Sequence, residues 1–211
     1  MEIAWYGHSC FKLSERGKAT IVTDPYADSI GYDLPKLKAD VITVSHDAPG
    51  HNNVGGIKGY QRVITGPGEY EIGGVFIIGA AMHNTTAEPP KANVAYMLDF
   101  DGLTIAHLGD LDHVPAQSTV EAIGSVNVLM VPVGGGGGLN ATQAAEVISL
   151  LEPNIVIPMH YKTDKSVLEL DPLEKFLKEM GVSRVQQEDT LKIATSGLPE
   201  QTQIVVLNIS R

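Results

Sequence analysis

Apolar and polar residues alternate along the first half of the chain in short segments. Short runs rich in β-branched and aromatic residues, bounded by turn residues, are typical of strands in a sheet packed against another layer. Such runs predict strands over residues 2–6, 10–14, 19–23, 41–44, 62–65, 69–72 and 75–79. Asp101 and Gly102 separate two further runs, over residues 94–100 and 103–108. An Asp-Gly pair in this position predicts a two-residue hairpin turn.

The second half of the chain mixes strands with helices. Continuous apolar runs over residues 126–133 and 154–157 flank residues 141–151, whose apolar side chains recur at helical spacing. This order predicts a β-α-β unit. A second helix is predicted with Asp171 as N-cap, Pro172 as its first residue and Gly181 at its end. Strands over residues 191–194 and 203–208 follow without a Pro- or Ser-rich linker, so we expect one α/β domain over residues 1–211.

Composition narrows the class of protein. The chain has 211 residues, of which 43% are apolar and 19% charged, and this mixture excludes disordered and disulfide-rich classes. Its formal charge of -10 opposes the binding of nucleic-acid phosphates. No apolar run approaches the roughly 20 residues of a membrane-spanning helix. Cys10 is the single cysteine, and the first residues do not resemble a secretory signal, so we expect a cytoplasmic protein.

Side chains that bind metals follow the ends of the predicted strands. In α/β folds, ligand sites form beyond the carboxyl ends of strands, where several loops converge. Imidazole and carboxylate groups together are typical ligands of Zn, Mn or Fe, and one cysteine cannot build a thiolate site. The pattern therefore predicts a catalytic metal site. The residues in these positions are His8, Asp24, His46, His51, His83, Asp110 and His160.

Some of these residues have ordinary structural interpretations as well. Asp24 precedes Pro25 and is equally suited to starting a turn. His107 lies within a predicted strand, which favours a core position or a role in orienting a ligand. His113 fits a pocket wall and the surface equally well. The glycine run 134–138 lacks the Lys-Ser or Lys-Thr ending of a phosphate-binding loop, so it is either a flexible loop or a set of backbone N–H groups that face an anion.

Five segments, taken in order, resemble the motifs of the metallo-β-lactamase superfamily. They resemble most the branch that includes ascorbate-6-phosphate lactonase and related metal-dependent hydrolases. The resemblance implies a four-layer αββα sandwich, with two mixed sheets face to face, helices on the outer faces and a metal site at one edge. The segments are residues 7–11 (GHSCF), 23–25 (TDP), 45–52 (SHDAPGHN), 107–110 (HLGD) and 157–161 (IPMHY).

The superfamily's central motif, His-x-His-x-Asp-His, is incomplete in this chain. His46 and His51 match its first and last histidines, but Ala48 stands at the second histidine and Gly50 at the aspartate. The neighbouring Asp47 is a poor substitute, because adjacent side chains in extended backbone point in opposite directions and His46 must point into the site.

The resemblance implies two half-sites that share one carboxylate. His46, residue 48 and His83 would hold one metal, while residue 50, His51 and His160 would hold the other. Asp110 would bridge the two metals. Each half-site therefore keeps two imidazoles and the shared carboxylate.

The missing ligands change the expected metal content and chemistry. Catalytic zinc usually has three protein ligands, so two imidazoles and Asp110 suffice for one open site. We therefore expect one ion rather than two, and zinc rather than Mn or Fe. Loss of the motif's aspartate removes a proton carrier, a contribution of roughly 10² to 10⁴ in rate. Asp24, His107 and His113 are the candidates for catalytic proton transfer in its place.

Two functions of different classes fit these features. The first is a metal-dependent hydrolase of an ester, lactone or phosphoester, with an impaired or mononuclear site. The alternative is a catalytically silent superfamily member that binds a metabolite or a partner protein. A nucleic-acid-processing enzyme is disfavoured by the charge of -10. We expect a small-molecule substrate and no membrane association, and a homo-oligomer is compatible because small α/β enzymes commonly pair.

Overall fold

Two β-sheets packed face to face form the centre of the molecule. The computed structural model describes residues 1–83 and 91–211. The strands are β1 (Glu2–Gly7), β2 (Cys10–Ser14), β3 (Ile21–Thr23), β4 (Leu37–Lys38), β5 (Val41–Thr43), β6 (Ile57–Lys58), β7 (Arg62–Ile64), β8 (Gly68–Ile72), β9 (Val75–Ala81), β10 (Val94–Phe100), β11 (Leu103–His107), β12 (Val128–Pro132), β13 (Ile155–Met159), β14 (Gln186–Glu188), β15 (Leu191–Lys192) and β16 (Gln203–Leu207). The helices are α1 (Gln117–Ile123), α2 (Ala141–Leu151) and α3 (Leu173–Glu179).

Both large sheets contain parallel and antiparallel pairs. The six-stranded sheet has the order β15-β1-β2-β3-β5-β7, and the eight-stranded sheet has the order β14-β16-β13-β12-β11-β10-β9-β8. Strands β1 to β3 pair antiparallel, whereas β3, β5 and β7 are parallel. In the second sheet β8 to β11 form an antiparallel meander, and β11, β12, β13 and β16 run parallel. This arrangement confirms the predicted fold, two mixed sheets face to face as in the metallo-β-lactamase superfamily, although the cover of the two outer faces differs.

The main hydrophobic core lies between the two sheets and continues under the helices. Ile3 and Phe11 of the first sheet belong to the same buried cluster as Leu98 and Ile105 of the second. Every residue of β12 is buried, as expected for a strand covered on both faces. The buried side of α2 belongs to this cluster, which places the helix over the outer face of the second sheet.

The outer face of the six-stranded sheet is covered differently. Val22 and Ile42 of this sheet pack with Tyr26, Tyr32 and Ile57 in a second buried cluster. Among the described residues, no α-helix contributes to that cluster. Irregular segments, two short 3-10 turns and the β4–β6 pair therefore supply the cover on this side of the sandwich.

The hairpin and the β-α-β unit form as predicted. Phe100 pairs with Leu103, and the turn residues Asp101 and Gly102 have φ of 55° and 87°, the positive values that a tight hairpin turn needs. Strands β12 and β13 are parallel with α2 between them. Asn140 caps α2 by accepting a hydrogen bond from the Gln143 N–H at 3.0 Å.

The predicted start of the last helix is wrong by one residue. Pro172 is the N-cap of α3, and no side chain caps this end. The Asp171 carboxylate instead accepts a hydrogen bond from Lys175 Nζ at 2.7 Å, so it pairs with a side chain of the helix rather than with the free N–H groups at the helix start. Helix α1 and the strands β4, β6 and β14 lie in segments for which the sequence pattern predicts no element. No helix among the described residues combines the length and apolarity needed to cross a bilayer.

Candidate metal centre

Four buried side chains meet at one edge of the sandwich. His8, His51, Asp110 and His160 each offer one donor atom, and these atoms lie within 4.8 Å of one another. His51 Nε2 lies 3.3 Å from Asp110 Oδ2, and His160 Nε2 lies 3.3 Å from Asp110 Oδ1. His8 Nε2 lies 3.2 Å from His51 Nε2. We call these four residues the donor cluster.

His8 reaches the donor cluster from the tight turn between β1 and β2. The register of this hairpin shifts between Trp5 and Gly7, and His8 has φ of 52°, which is unusual for a residue other than glycine. Its carbonyl accepts hydrogen bonds from Trp5 Nε1 at 3.0 Å and from the His160 N–H at 3.2 Å. These contacts hold the strained turn against the end of β13.

Asp110 is carried by a turn that only glycine can form. Gly109 follows β11 with φ of 58°, and a Cβ there would lie 2.4 Å from Asn93 Oδ1 and 2.5 Å from Ser45 Cβ. The Asp110 N–H donates to Asn93 Oδ1 at 3.0 Å, while Asn93 Nδ2 donates to the Leu108 carbonyl at 2.9 Å. Asn93 therefore fixes the backbone on both sides of Gly109.

His160 follows β13 and packs against the glycine run. It also has a left-handed backbone, with φ of 53°. A Cβ on Gly134 would lie 2.4 Å from the His160 carbonyl oxygen, which accepts the Gly134 N–H at 3.1 Å. The N–H groups of Gly135 and Gly138 bond to main-chain carbonyls within the loop. Close packing against His160 thus accounts for part of the run, and three of its five N–H groups bond to main-chain carbonyls; an anion-facing role for the loop stays a prediction.

His51 is oriented by a buried carboxylate, that of Asp24. Asp24 Oδ2 lies 2.8 Å from His51 Nδ1 and accepts a hydrogen bond from Ser45 Oγ at 2.6 Å. Its Oδ1 accepts the Ser45 N–H at 2.7 Å. Asp24 itself is completely buried and has φ of 38°. A carboxylate on Nδ1 fixes the imidazole so that Nε2 faces the donor cluster, an arrangement common behind metal-binding histidines.

Electrostatics couples the donor cluster to Asp24. Burial alone would lower the pKa of His51, but Asp110 and Asp24 together raise it to about 10. Burial would raise the pKa of both carboxyls, yet His51 holds each below its ordinary value. Burial, with His160 and His51 nearby, lowers the pKa of His8 well below its ordinary value. In the metal-free protein one imidazolium therefore sits between two carboxylates.

His46 and His83, the other predicted ligands, lie outside the donor cluster. His46 is half-buried, with Nε2 3.7 Å from Asp110 Oδ2 and Nδ1 3.0 Å from Ser45 Oγ. His83 is exposed, and its Nδ1 accepts a hydrogen bond from the Asn93 N–H at 3.3 Å. Metal binding by these two residues stays a prediction.

The remaining candidates for proton transfer lie away from the donor atoms. His107 is fully buried, with Nε2 2.9 Å from the Ser9 carbonyl and Nδ1 accepting the Gly109 N–H at 3.3 Å. Its ring thus orients the turn that carries Asp110, which favours the core interpretation over catalysis. His113 Nδ1 lies 2.9 Å from Asp112 Oδ1. Asp47 is exposed and accepts a hydrogen bond from Asn52 Nδ2 at 2.9 Å, so it faces away from the site.

The donor cluster fits a divalent metal ion. Asp110 Oδ1 is buried and receives no aligned hydrogen bond from the described residues, although His160 Nε2 is 3.3 Å away. Four ligands placed tetrahedrally at the Zn–N distance of roughly 2.0–2.1 Å stand about 3.3 Å from one another. Two contacts are close to that separation, His8 Nε2 to His51 Nε2 at 3.2 Å and His51 Nε2 to Asp110 Oδ2 at 3.3 Å, while His160 Nε2 lies 3.3 Å from the other Asp110 oxygen. Imidazole with carboxylate is also a usual donor set for Zn, Mn and Fe.

Fold and donor cluster together define a protein of the metallo-β-lactamase type. Residues 2–160 match the family model of the Beta-lactamase superfamily domain, and the chain belongs to that superfamily. It is 30% identical over 210 residues to a UPF0173 protein of Pyrococcus furiosus, covering 88% of this chain and 93% of that protein. The more specific resemblance to ascorbate-6-phosphate lactonase stays a prediction.

Two further relatives carry functional names. A UPF0173 metal-dependent hydrolase of Lysinibacillus sphaericus is 28% identical over 209 residues, covering 82% of this chain and 89% of that protein. A crystal structure from Thermotoga maritima, described as a candidate Zn-dependent hydrolase of the metallo-β-lactamase superfamily, is 36% identical. It superposes with a TM-score of 0.81 and covers 98% of this chain and 97% of its own.

Proposed function

We propose that this protein is a metal-dependent hydrolase that uses one metal ion, zinc in preference to Mn or Fe. The observation that carries the proposal is the convergence of His51, His160 and Asp110, two imidazoles and a carboxylate within 3.3 Å contacts. Relatives named metal-dependent hydrolases that align with most of the chain support it. A bound divalent ion acts as a Lewis acid and lowers the pKa of water to about 7, which suits attack on an ester, lactone or phosphoester.

The chain's own residues would position the ion and restrict access to it. Asp24 holds the His51 ring through Nδ1, and Asp110 lies between His51 and His160. The three donors are buried, so access comes from the side of half-buried His46. Burial and His51 lower the pKa of His46, which keeps that imidazole neutral at pH 7 and able to accept a proton near Asp110. We propose a small-molecule substrate and a cytoplasmic location, consistent with the negative charge and the single buried cysteine.

Metal analysis joined to a substrate panel tests this proposal. The protein is loaded separately with Zn, Mn and Fe, dialysed, and measured for metal per chain by elemental analysis. Each form is then assayed against lactones, carboxylic esters and phosphodiesters. We expect about one ion per chain and hydrolysis of one substrate class. No retained metal with any of the three would overturn the proposal, and two ions per chain would overturn its mononuclear form.

A catalytically silent binding protein is the second candidate. It is favoured by one observation, that Ala48 and Gly50 replace two ligands of the superfamily motif. The double variant Ala48→His, Gly50→Asp discriminates between the candidates. If the wild type hydrolyses nothing and the double variant gains metal and activity, the protein is the catalytically silent one. Turnover by the wild type would exclude it.

A further inference from the structure

The space beside Gly50 is filled by an imidazole. Gly50 is buried, and a Cβ built on it would lie 2.8 Å from His8 Nε2 and 3.1 Å from His8 Cδ2. Real Cβ atoms essentially never approach another atom so closely, so any side chain at residue 50 would have to displace the His8 ring. Gly50 does not have a positive φ, so its backbone conformation is open to other residues. Space, rather than conformation, is what requires glycine here.

We propose that His8 takes the place of the carboxylate that the superfamily motif has at residue 50, as a fourth metal ligand beside His51, Asp110 and His160. This inference rests on the proposed function, because it assumes that the donor cluster binds a divalent metal. It assigns a role to a residue outside the motif and explains how Gly50 is compatible with a metal site. The two residues are coupled, since the absence of a side chain at Gly50 leaves the His8 ring its present position.

The geometry of His8 supports a direct role. Its Nε2 lies 3.2 Å from His51 Nε2, close to the separation of about 3.3 Å expected for two ligands of one tetrahedral ion. The His8 and His160 rings lie with their centroids 4.3 Å apart. His8 Nδ1 is buried without a hydrogen bond to any described residue, so Nε2 is the atom through which His8 meets its neighbours. His8 therefore contacts both of the other imidazoles in the donor cluster.

The backbone holds His8 in this position. A left-handed conformation at a residue other than glycine persists where the surrounding structure fixes it. Here Trp5 Nε1 and the His160 N–H both donate to the His8 carbonyl. The second of these bonds ties the ligand-bearing turn to another residue of the donor cluster, so the two imidazoles keep a fixed relation.

A fourth ligand affects binding more than turnover. Zinc sites with four protein ligands are typically structural, whereas catalytic sites keep one position for water. A site that includes His8 should therefore hold metal tightly, and hydrolysis there would need water to enter as a fifth ligand, an expansion that zinc sites allow. We expect the removal of His8 to weaken metal affinity, while the metal-saturated variant keeps or gains turnover.

The variant Gly50→Ala tests the coupling with one added methyl group. Zinc affinity is measured by competition with a chromogenic chelator, and folding is checked by thermal unfolding of the metal-free form. Losses in metal affinity of roughly 10- to 100-fold follow even indirect disturbance of a ligand, so we expect Gly50→Ala to lower affinity at least tenfold. Gly55→Ala is the matched control, because a Cβ at Gly55 meets nothing within 4 Å and its φ is not positive. Equal affinities of both variants and the wild type would overturn the inference.

Variants of His8 complete the test. His8→Ala should lower affinity, and adding Gly50→Ala to it should have little further effect, because the methyl group then has no ring to displace. Adding Gly50→Asp to His8→Ala should restore affinity by supplying a carboxylate. The inference would be overturned if His8→Ala and Gly50→Ala lowered zinc affinity additively and Gly50→Asp restored no affinity to His8→Ala. This comparison holds even if His8→Ala alone folds poorly.

X-ray absorption of the zinc-loaded proteins gives a readout that does not depend on activity. We expect three imidazoles around zinc in the wild type and two in His8→Ala. Two in both proteins would overturn the role of His8 and leave the proposed function in place. A wild type that binds no metal would overturn the proposed function and this inference with it.

Discussion

The two sides of the site differ in burial and in support. On one side, His51 and His160 are buried; Asp24 holds the His51 ring, and hydrogen bonds with the backbone of His8 and Gly134 hold the main chain of His160. On the other side, His46 is half-buried and His83 is exposed. Both sides lack one ligand of the superfamily motif. The buried side has a further imidazole in the space beside Gly50, while the donor cluster includes no described residue that replaces a histidine at Ala48. A lost ligand is thus replaceable where an adjoining turn already points a donor at the gap.

Asp110→Ala should weaken metal binding on both sides of the site. The Asp110 carboxylate lies within 3.3 Å of His51 and His160 and within 3.7 Å of His46, so its loss affects every imidazole around it. We expect metal affinity to fall by about 100-fold or more, with loss of any hydrolysis. Zinc content after dialysis against a weak chelator measures the change. Asp47→Ala removes an exposed acidic residue of the same region and should bind zinc normally; a matching loss there would point to a general effect of charge.

Paired alanine variants of His51 and His46 test the comparison directly. His51 contacts two members of the donor cluster, so His51→Ala should lower zinc affinity by roughly 10- to 100-fold. His46 lies 3.7 Å from Asp110, so the corresponding loss should stay below about tenfold. Isothermal titration with zinc gives both values. Equal losses would show that the two sides contribute alike, and a larger loss for His46 would reverse the comparison.

Asp24→Asn should weaken the support of the buried side without removing a ligand. The amide has one oxygen, so its NH2 group must face either the Ser45 N–H or the pair formed by Ser45 Oγ and His51 Nδ1, and it carries no charge to attract His51. We expect about a tenfold loss of zinc affinity. The free energy of unfolding of the metal-free protein should fall by about 1.5–3 kcal/mol, measured in urea, the range for a hydrogen bond to a charged group. Asp99→Asn, at the hairpin, is the control for zinc affinity; an unchanged Asp24→Asn protein would contradict the supporting role.

Proton release on metal binding is the smallest expected effect. The pKa of His51 is raised to about 10 in the metal-free fold, so a metal at Nε2 must displace a proton at pH 7. We expect about one proton released per zinc, measured by titration in buffers of different ionisation enthalpy. His51→Gln should reduce that number, and no release from the wild type would contradict a ligand role for His51.

The same groups set the stability of the metal-free protein. Because the folded pKa of His51 is raised, its contribution is complete below the unfolded pKa of about 6.5 and is lost as pH rises through about 10. Asp24 and Asp110 have lowered pKa values, so their contribution is present above about pH 4 and is lost as pH falls through their folded values. His8, His46 and His107 have lowered pKa values, so below about pH 6.5 the unfolded chain takes up protons at these residues that the folded protein does not. Urea unfolding of the metal-free protein should therefore show maximal stability near pH 6.5, with losses as pH falls below that value and as it rises towards about 10.

Much of the fold could be predicted because strand ends are marked locally. The Asp101–Gly102 hairpin and the β12-α2-β13 unit depend on spacing and turn chemistry within a few residues. Asp110 and His160 follow apolar strand runs, and β11, β12 and β13 are parallel neighbours, so their loops must meet at one edge. Helix α1 has the same length as α3 but follows Ala116, without an Asp-Pro pair like the one before α3, so its start carries no signal.

The position of His8 after a predicted strand places it near a metal site, but its proximity to residue 50 could not be predicted because it depends on tertiary packing. Residues 8 and 50 are distant in sequence, and their proximity follows only once the β1–β2 turn is placed against the loop after β5. The sequence feature that pointed to this contact was Gly50. A glycine at a ligand position of the motif leaves space that another donor can fill. The sequence could not predict that His83 is exposed, because the residues that surround it are brought there only by folding.

His8, Asp24 and His160 share a backbone conformation that favours glycine or asparagine, at a cost of about 1–3 kcal/mol each. The backbone at these three residues is therefore a local source of instability, and the side chains that bear it are an imidazole or a carboxylate in or beside the donor cluster.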